Sequence, residues 1–302
     1  MRNTRMKITQ VHPHFGAEIT GLSLNADVPE SVITELKDAL AEYGVVVIRD
    51  QQALSDDEQI EFCRRFGTLQ KSITLHRKDT VRRLTRDELT DLSNIDENGL
   101  RMDPNDTRRS LQKPGQLWHS DNSFRSPPGL YTFLKAKIVP PEGGDTEFAD
   151  MRAAYDALDE ATRQKVTGLE VRHSLAWSRE QAGSPPLSPT EQANIPESVQ
   201  PLVRVHPKTG RKSLYLSSHG RDVLGMSDAD GRALLQELNA FSTQPQFVYR
   251  HKWRDGDFVV WDNRSTMHRA TPFPEDKYQR DMRRTSIEDN EVAIAAEPVG
   301  AA

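Results

Sequence analysis

A single cysteine, Cys63, stands in the 302 residues. An internal disulfide framework and a multi-cysteine zinc or iron–sulfur site are thereby excluded. No apolar run approaches the roughly 20 residues of a membrane-spanning helix. The amino terminus, Met-Arg-Asn-Thr-Arg-Met-Lys, carries charge but no apolar stretch. Export by a standard signal is not expected, and the protein is expected in the cytoplasm. Two Asn-x-Ser/Thr sequons, at Asn105 and Asn263, are accordingly read as chance. A basic excess is also missing. Lys and Arg number 40 against 45 Asp and Glu, a net charge of −5. Such a balance gives no field for nucleic acid or an anionic membrane, and neither is expected as a partner. There is no Gly-x-Gly-x-x-Gly after a strand and no Gly-x-x-x-x-Gly-Lys-Ser/Thr, so a nucleotide-binding sheet is unsupported. No internal repeat or low-complexity tract occurs.

What the chain does contain is strand signal. Val45–Arg49 is a β-branched run after Gly44 and predicts a buried strand. Ahead of it, Val32, Leu36, Ala39, Leu40 and Tyr43 lie near helical spacing within residues 29–43. Ser55-Asp56-Asp57-Glu58 is a capping box, opening a helix that carries Ile60, Phe62, Cys63 and Phe66 and stops at Gly67. Cys63 reads as a packing residue, since nothing nearby marks an activated thiol. Residues 70–115 are charged and read as an excursion, with a short strand expected at Leu92–Ile95. From Leu117 the pattern is mostly β. Strands are predicted at Leu130–Val139, from Asp145, at Leu169–Leu175 and at Arg280–Ile287. Two hairpins are predicted, Leu202–His206 with Ser213–Ser217 and Phe247–Trp253 with Phe258–Asp262. Helices are predicted at Met151–Val166 and Leu234–Phe241, and a long proline-rich loop, read as a lid, at Ser178–Gln200. The expected fold is mostly β with flanking helices, a sandwich or barrel. It forms one domain over residues 1–302, with a helical N-terminal portion and insertions near 70–115 and 178–200.

In Trp118-His119-Ser120-Asp121, residues 119 and 121 point to the same side of a strand and can hold one metal. Taken alone the pair carries little weight. Composition predicts roughly 1.3 His-x-Asp/Glu pairs by chance, and a lone histidine is more often structural. His268 would otherwise be an ordinary edge residue. With the pair it completes two imidazoles and one carboxylate, a set that suits non-haem Fe(II) with open positions for a bidentate cosubstrate and dioxygen. Arg280 and Arg284 lie on one strand face. If that face points inward, each guanidinium needs an anion, and a separation of about 13 Å gives them different anions. A solvated face, or acidic partners, is the plain alternative. Thr146 adds a hydroxyl that can donate to a carboxylate. The four tryptophans read as core or rim, with room for one to wall an aromatic pocket.

Taken in order, His119-Ser120-Asp121, Thr146 at +25, His268 and Arg280 at +12 carry a resemblance. The chain resembles the taurine dioxygenase family of Fe(II)- and 2-oxoglutarate-dependent dioxygenases, and within it the aryloxyalkanoate dioxygenases. The similar stretches are Gln116–Phe124, Pro140–Leu158, Phe247–Trp253, Trp261–Arg264 and His268–Arg269, within roughly Val45 to Ile287. The resemblance implies a double-stranded β-helix, a jelly-roll relative. It implies His119, Asp121 and His268 as iron ligands, Thr146 and Arg280 on the distal carboxylate of 2-oxoglutarate, Arg284 on the substrate's anionic group, and Asn94 near the substrate. Where those relatives carry a substrate-holding lysine, this chain has Leu75, with His76 and Lys78 as near candidates. His206 and His219 fall outside the motif and are given a structural or substrate-shell role, structural being preferred.

The implied reaction hydroxylates the carbon beside the ether oxygen of an aryloxyacetate such as 2,4-dichlorophenoxyacetate. The products are a phenol, glyoxylate, succinate and carbon dioxide, and oxidative decarboxylation supplies the electrons for dioxygen. The expected partners are a small anionic organic substrate and further copies of the chain, as a dimer or tetramer. Competing readings keep the same chemistry for taurine, an alkylsulfonate or another small carboxylate. A zinc hydrolase and a non-catalytic jelly-roll binding protein are weaker, since neither needs the Thr146 and Arg280 spacing.

Overall fold

The computed structural model describes residues 6–77, 81–291 and 295–296. Apolar alternation decides its layers. All four residues of Val45–Ile48 are buried. Val45 and Val47 join a cluster with Leu134, Val259, Trp261 and Met282, whereas Val46 and Ile48 join another with Phe133, Phe258 and Val260. A strand buried on both faces belongs inside a sheet. That sheet has seven strands, in the order Lys7–Gln10, Ala17–Thr20, Val45–Ile48, Phe258–Asp262, Gly129–Ile138, Asp281–Glu288 and Thr90–Asp91. Its pairings are antiparallel except that of Ala17–Thr20 with Val45–Ile48.

Helices Glu30–Tyr43 and Asp56–Arg64 cover the outer face of this sheet, the second opened by the Ser55–Glu58 capping box. The inner face opposes a three-stranded antiparallel sheet, ordered Val248–His251, Thr146–Asp150 and Thr266–Ala270. Phe148 of the small sheet meets Trp261 of the large one, ring centroids 5.4 Å apart. Behind the small sheet, Ala149 and Met267 pack on helices Met151–Ala157 and Asp228–Ser242. Two facing sheets with helices outside are the mostly-β jelly-roll arrangement expected. No helix among the described residues is long and apolar enough to cross a membrane.

Some local expectations change. Phe247–Trp253 and Phe258–Asp262 are not a hairpin. Val248–His251 pairs in the small sheet, while Phe258–Asp262 runs between Val45–Ile48 and Gly129–Ile138 in the large one. The intervening turn carries the chain from one sheet to the other. It is fixed by Asp257, whose carboxylate accepts from Arg254 N and pairs with Arg49. Met151–Val166 is two helices, because Asp159 takes an extended backbone and caps Glu160–Val166 through Thr162 N. The strand expected at Leu92–Ile95 pairs instead at Thr90–Asp91, opposite Arg283 and Arg284. Ser178–Gln200 is not a plain loop. It holds the end of helix Leu175–Gln181, helix Pro189–Asn194 and the start of strand Ser198–Pro201. The first hairpin is found, with Val203–Val205 on Lys212–Leu214.

One buried ion pair ties the layers together. Asp150 ends its strand and caps the next helix, accepting from Arg152 N and Ala153 N. The Arg152 side chain, fully buried, pairs with Asp150 at 3.0 Å and donates to Ala41 O and Glu42 O at 3.0 Å each. The small sheet is thereby anchored to the end of helix Glu30–Tyr43. Asp150→Ala should leave a buried guanidinium without its anion and cost about 3–5 kcal/mol. The urea midpoint measures this, and a loss below about 1 kcal/mol would remove the anchor from the account.

Candidate active site

His119 and His268 face each other across a two-residue bridge. His119 N donates to His268 O at 3.0 Å and His268 N to His119 O at 2.9 Å, which brings the ring centroids to 4.1 Å. His268 itself is set by strand Thr266–Ala270, opposite Phe148, and its ring lies 4.6 Å from that of Trp261. The expected strand at 119–121 is only an isolated bridge at His119; Ser120 points away, its hydroxyl donating to Leu216 O and Thr266 O, and the turn that starts at Asp121 brings its carboxylate back to His119. The Asp121 backbone N donates to Asn263 Oδ1 at 2.9 Å. Asn122 then takes a left-handed conformation, φ 54°, held by its side-chain bond to Gln70 Oε1. Gly129 packs flat on this turn. A Cβ there would lie 2.6 Å from Asp121 O, so no larger residue fits.

The donors are in ligating form. His119 Nδ1 donates to Leu117 O at 2.7 Å, leaving the lone pair of Nε2 to face Asp121 Oδ1 at 3.7 Å. His268 Nε2 lies 3.6 Å from Asp121 Oδ2. One donor atom from each of the three residues lies within 4.8 Å of the others. Burial pushes both imidazoles down, His268 to about 3 with His119 adding to the effect, so both are neutral. Burial opposes the Asp121 charge, yet the Arg284 guanidinium outweighs it and holds its carboxyl well below the usual range. Asp121 Oδ2 is buried with no hydrogen-bond partner among the described residues. An unpartnered anionic oxygen beside two neutral imidazole nitrogens fits a divalent transition metal with open positions.

Thr146, Arg280 and Arg284 join the three donors on the wall of one cavity of about 230 Å³. Thr146 is buried and its Oγ1 accepts from Trp253 Nε1 at 3.0 Å. Arg280 has no side-chain partner among the described residues, and burial pushes its guanidinium down to about 10 against the pull of Glu275 and Asp145. Arg284 Nη1 donates to Asp121 Oδ1 at 2.8 Å. The face shared by positions 280 and 284 turns inward despite a register shift between Asp281 and Met282. Arg283, on the opposite face, is neutralised by Asp281, Asp56 and Asp91.

Other expectations are redistributed. Asn94 does not line the cavity. Its amide donates to Glu275 O and Tyr278 O and accepts from Arg280 N, so it fixes the segment that delivers Arg280. Leu75 and His76 are off the wall while Ile73, Thr74 and Arg77 are on it; Lys78 lies outside the described residues. His206 sits away from the cavity with Asp262 and Arg264. His219 does line it, its ring 6.1 Å from that of His119 and its Nδ1 2.7 Å from Ser178 Oγ. Cys63 is buried under its helix, and burial pushes the thiol up. Sequence reasoning gave no role to Asn263, Gln70 or Gly129. Asn263 had a signal, standing five residues before His268 in a quoted stretch, but its bond to Asp121 spans 142 positions.

The model of the family described as "Taurine catabolism dioxygenase TauD, TfdA family" matches residues 7–286. An alpha-ketoglutarate-dependent 2,4-dichlorophenoxyacetate dioxygenase of Cupriavidus pinatubonensis is 39% identical over 284 residues, covering 93% of this chain and 97% of that protein. An (S)-phenoxypropionate/alpha-ketoglutarate-dioxygenase of Sphingobium herbicidovorans is 37% identical over 267 residues, covering 86% and 87%. Among solved structures, the crystal structure of AAD-2 in complex with Mn(II) and N-oxalylglycine is 39% identical with a TM-score of 0.86, covering 96% of this chain and 99% of that one. The donor set, the threonine and two arginines on the same wall and these likenesses agree: the chain is a 2-oxoglutarate-dependent dioxygenase and belongs to the TauD, TfdA family.

Proposed function

We propose that this enzyme holds Fe(II) on His119, Asp121 and His268 and hydroxylates the carbon next to the ether oxygen of an aryloxyacetate such as 2,4-dichlorophenoxyacetate. The observation that carries the reading is the meeting of three donor atoms within 4.8 Å on the wall of a cavity that also holds Thr146, Arg280 and Arg284. A ferrous ion on these donors would supply reductive activation of dioxygen, with 2-oxoglutarate giving two electrons as it loses carbon dioxide. The balance is aryloxyacetate, 2-oxoglutarate and dioxygen to phenol, glyoxylate, succinate and carbon dioxide.

The chain's own groups do the positioning. Trp253 already donates to Thr146 Oγ1, so the threonine hydrogen is left for the distal carboxylate of 2-oxoglutarate. Arg280, desolvated and without an acidic side chain in contact, is stabilised by that same anion. Arg284 grips the substrate carboxylate, which presents the adjacent methylene to the donors. Ile73, Leu89, Met102, Leu111, Phe124 and Leu175 give part of the wall, which also carries Arg77, Arg83, Arg108 and Arg179, an apolar surface that suits an aryl body. This lining favours the aryl substrate over taurine, although a guanidinium accepts sulfonate as readily as carboxylate. The same reading takes residues 1–302 as one catalytic domain of a cytoplasmic homo-oligomer, a dimer or tetramer, with no nucleic-acid partner.

Anaerobic loading with Fe(II) and 2-oxoglutarate, followed by aerated 2,4-dichlorophenoxyacetate, should give succinate and phenol in equal amounts. Succinate without phenol would overturn the substrate, and no succinate would overturn the chemistry. His119→Ala and Asp121→Ala should abolish turnover and weaken Fe(II) binding at least tenfold in a direct metal titration; near-normal turnover would remove the ligand assignment. Arg280→Gln should raise KM for 2-oxoglutarate about tenfold or more, and Arg284→Ala should do the same for the aryloxyacetate alone, each losing roughly 1.5–3 kcal/mol of charged hydrogen bonding. Steady-state kinetics in each substrate separates the two, and exchanged effects would mean exchanged roles.

A further inference from the structure

Part of the cavity wall belongs to a small unit separate from the main cores. Phe124, Leu175, Leu187 and Ile195 form their own apolar cluster, with Ile73 packed against it. Three of these, Phe124, Leu175 and Ile73, also line the cavity. The unit draws on the turn that carries Phe124 and on three further stretches of chain: the Ile73–His76 turn, helix Leu175–Gln181 and helix Pro189–Asn194. So small an apolar cluster buries little surface and cannot by itself hold three segments in register.

One carboxylate does the holding. Glu191 accepts from Arg179 in two bonds, 2.7 and 3.1 Å, and from Arg77 Nε at 3.0 Å. Its other contacts close the Ser188 capping box at the start of its own helix. Glu191 is 4% exposed and does not line the cavity, but both of its arginine partners do. Burial opposes its charge; the Arg179 hydrogen bonds, the Ser188 backbone N–H and Arg77 outweigh this and bring the carboxyl down to about 2. The carboxylate therefore stays ionised at neutral pH, and both arginines are held by it.

We propose that Glu191 is a positioning residue for the primary substrate, acting through Arg77 and Arg179. It fixes the apolar roof over the iron site against the body of the substrate, without touching the substrate or 2-oxoglutarate. The inference rests on the aryloxyacetate reading for its substrate, and on the fold alone for the latch. Removing the charge frees the three segments from one another while leaving the donors and Arg280, which lie on or beside the sheets, where they are.

The test compares Glu191→Gln with the wild-type holoenzyme, using 2,4-dichlorophenoxyacetate as the probe. KM for the probe should rise about tenfold. KM for 2-oxoglutarate, and slow succinate release without the probe, should change less than twofold. Glu191→Asp keeps the charge on a shorter arm and should fall between; it also serves if the glutamine variant does not fold. Both KM values moving together, or neither moving, would overturn the proposal. If the wild type turns over no aryloxyacetate, the substrate reading falls instead. Amide exchange then decides the latch: exchange over 187–195 that is no faster in Glu191→Gln than in the wild type would overturn it.

Discussion

The site depends on one pair of backbone hydrogen bonds, those exchanged by His119 and His268. They join a loop that approaches from outside the strands to an edge of the small sheet, and in doing so set both imidazoles at a separation fixed by the peptide backbone. Asp121 is held just as firmly, by Asn263 through its N–H and by the close packing of Gly129. The three donors are brought together by the fold's own hydrogen bonds, so a metal held there would meet ligands already placed.

Buried charge is distributed with the same economy. Asp150 neutralises Arg152, Asp262 neutralises Arg264, Asp289 pairs with Arg204, and Arg83 and Arg283 share Asp91 and Asp281. Each of these cations has its anion within the fold, as the penalty for burying a charge requires. Arg280 departs from this pattern, and it lies beside the donor set. A cation left without a protein anion is a seat for a ligand that brings one.

Much of this was legible from residue spacing. His119 and Asp121 do meet as their spacing suggested, although a turn rather than a strand carries Asp121, while the inward face of Arg280 and Arg284 follows from strand alternation. Beyond the hairpin of Val203–Val205 on Lys212–Leu214, strand partners were not legible. Val248–His251 and Phe258–Asp262 have the pattern and short turn of a hairpin, but burial on both faces of Phe258–Asp262 places it mid-sheet between two distant strands. Helix Pro189–Asn194 had a readable start, Ser188-Pro189 with Glu191 three residues after the serine, masked by the prolines around it. Asn94 could not have been placed from sequence, since its partners are backbone carbonyls some 180 residues away. The polar contacts that support Asp121 and Thr146 likewise join residues more than 100 positions apart, and no local pattern records such pairs.

Most of the apolar lining of the cavity comes from the stretches 73–89, 92–115 and 175–179, outside the paired strands. That lining and the three donor residues thus come from separate parts of the chain. Substitutions in the covering stretches escape the packing demands of the strands, so their cost to folding is small. A lineage built this way can explore new molecules to oxidise while its reactive centre stands still.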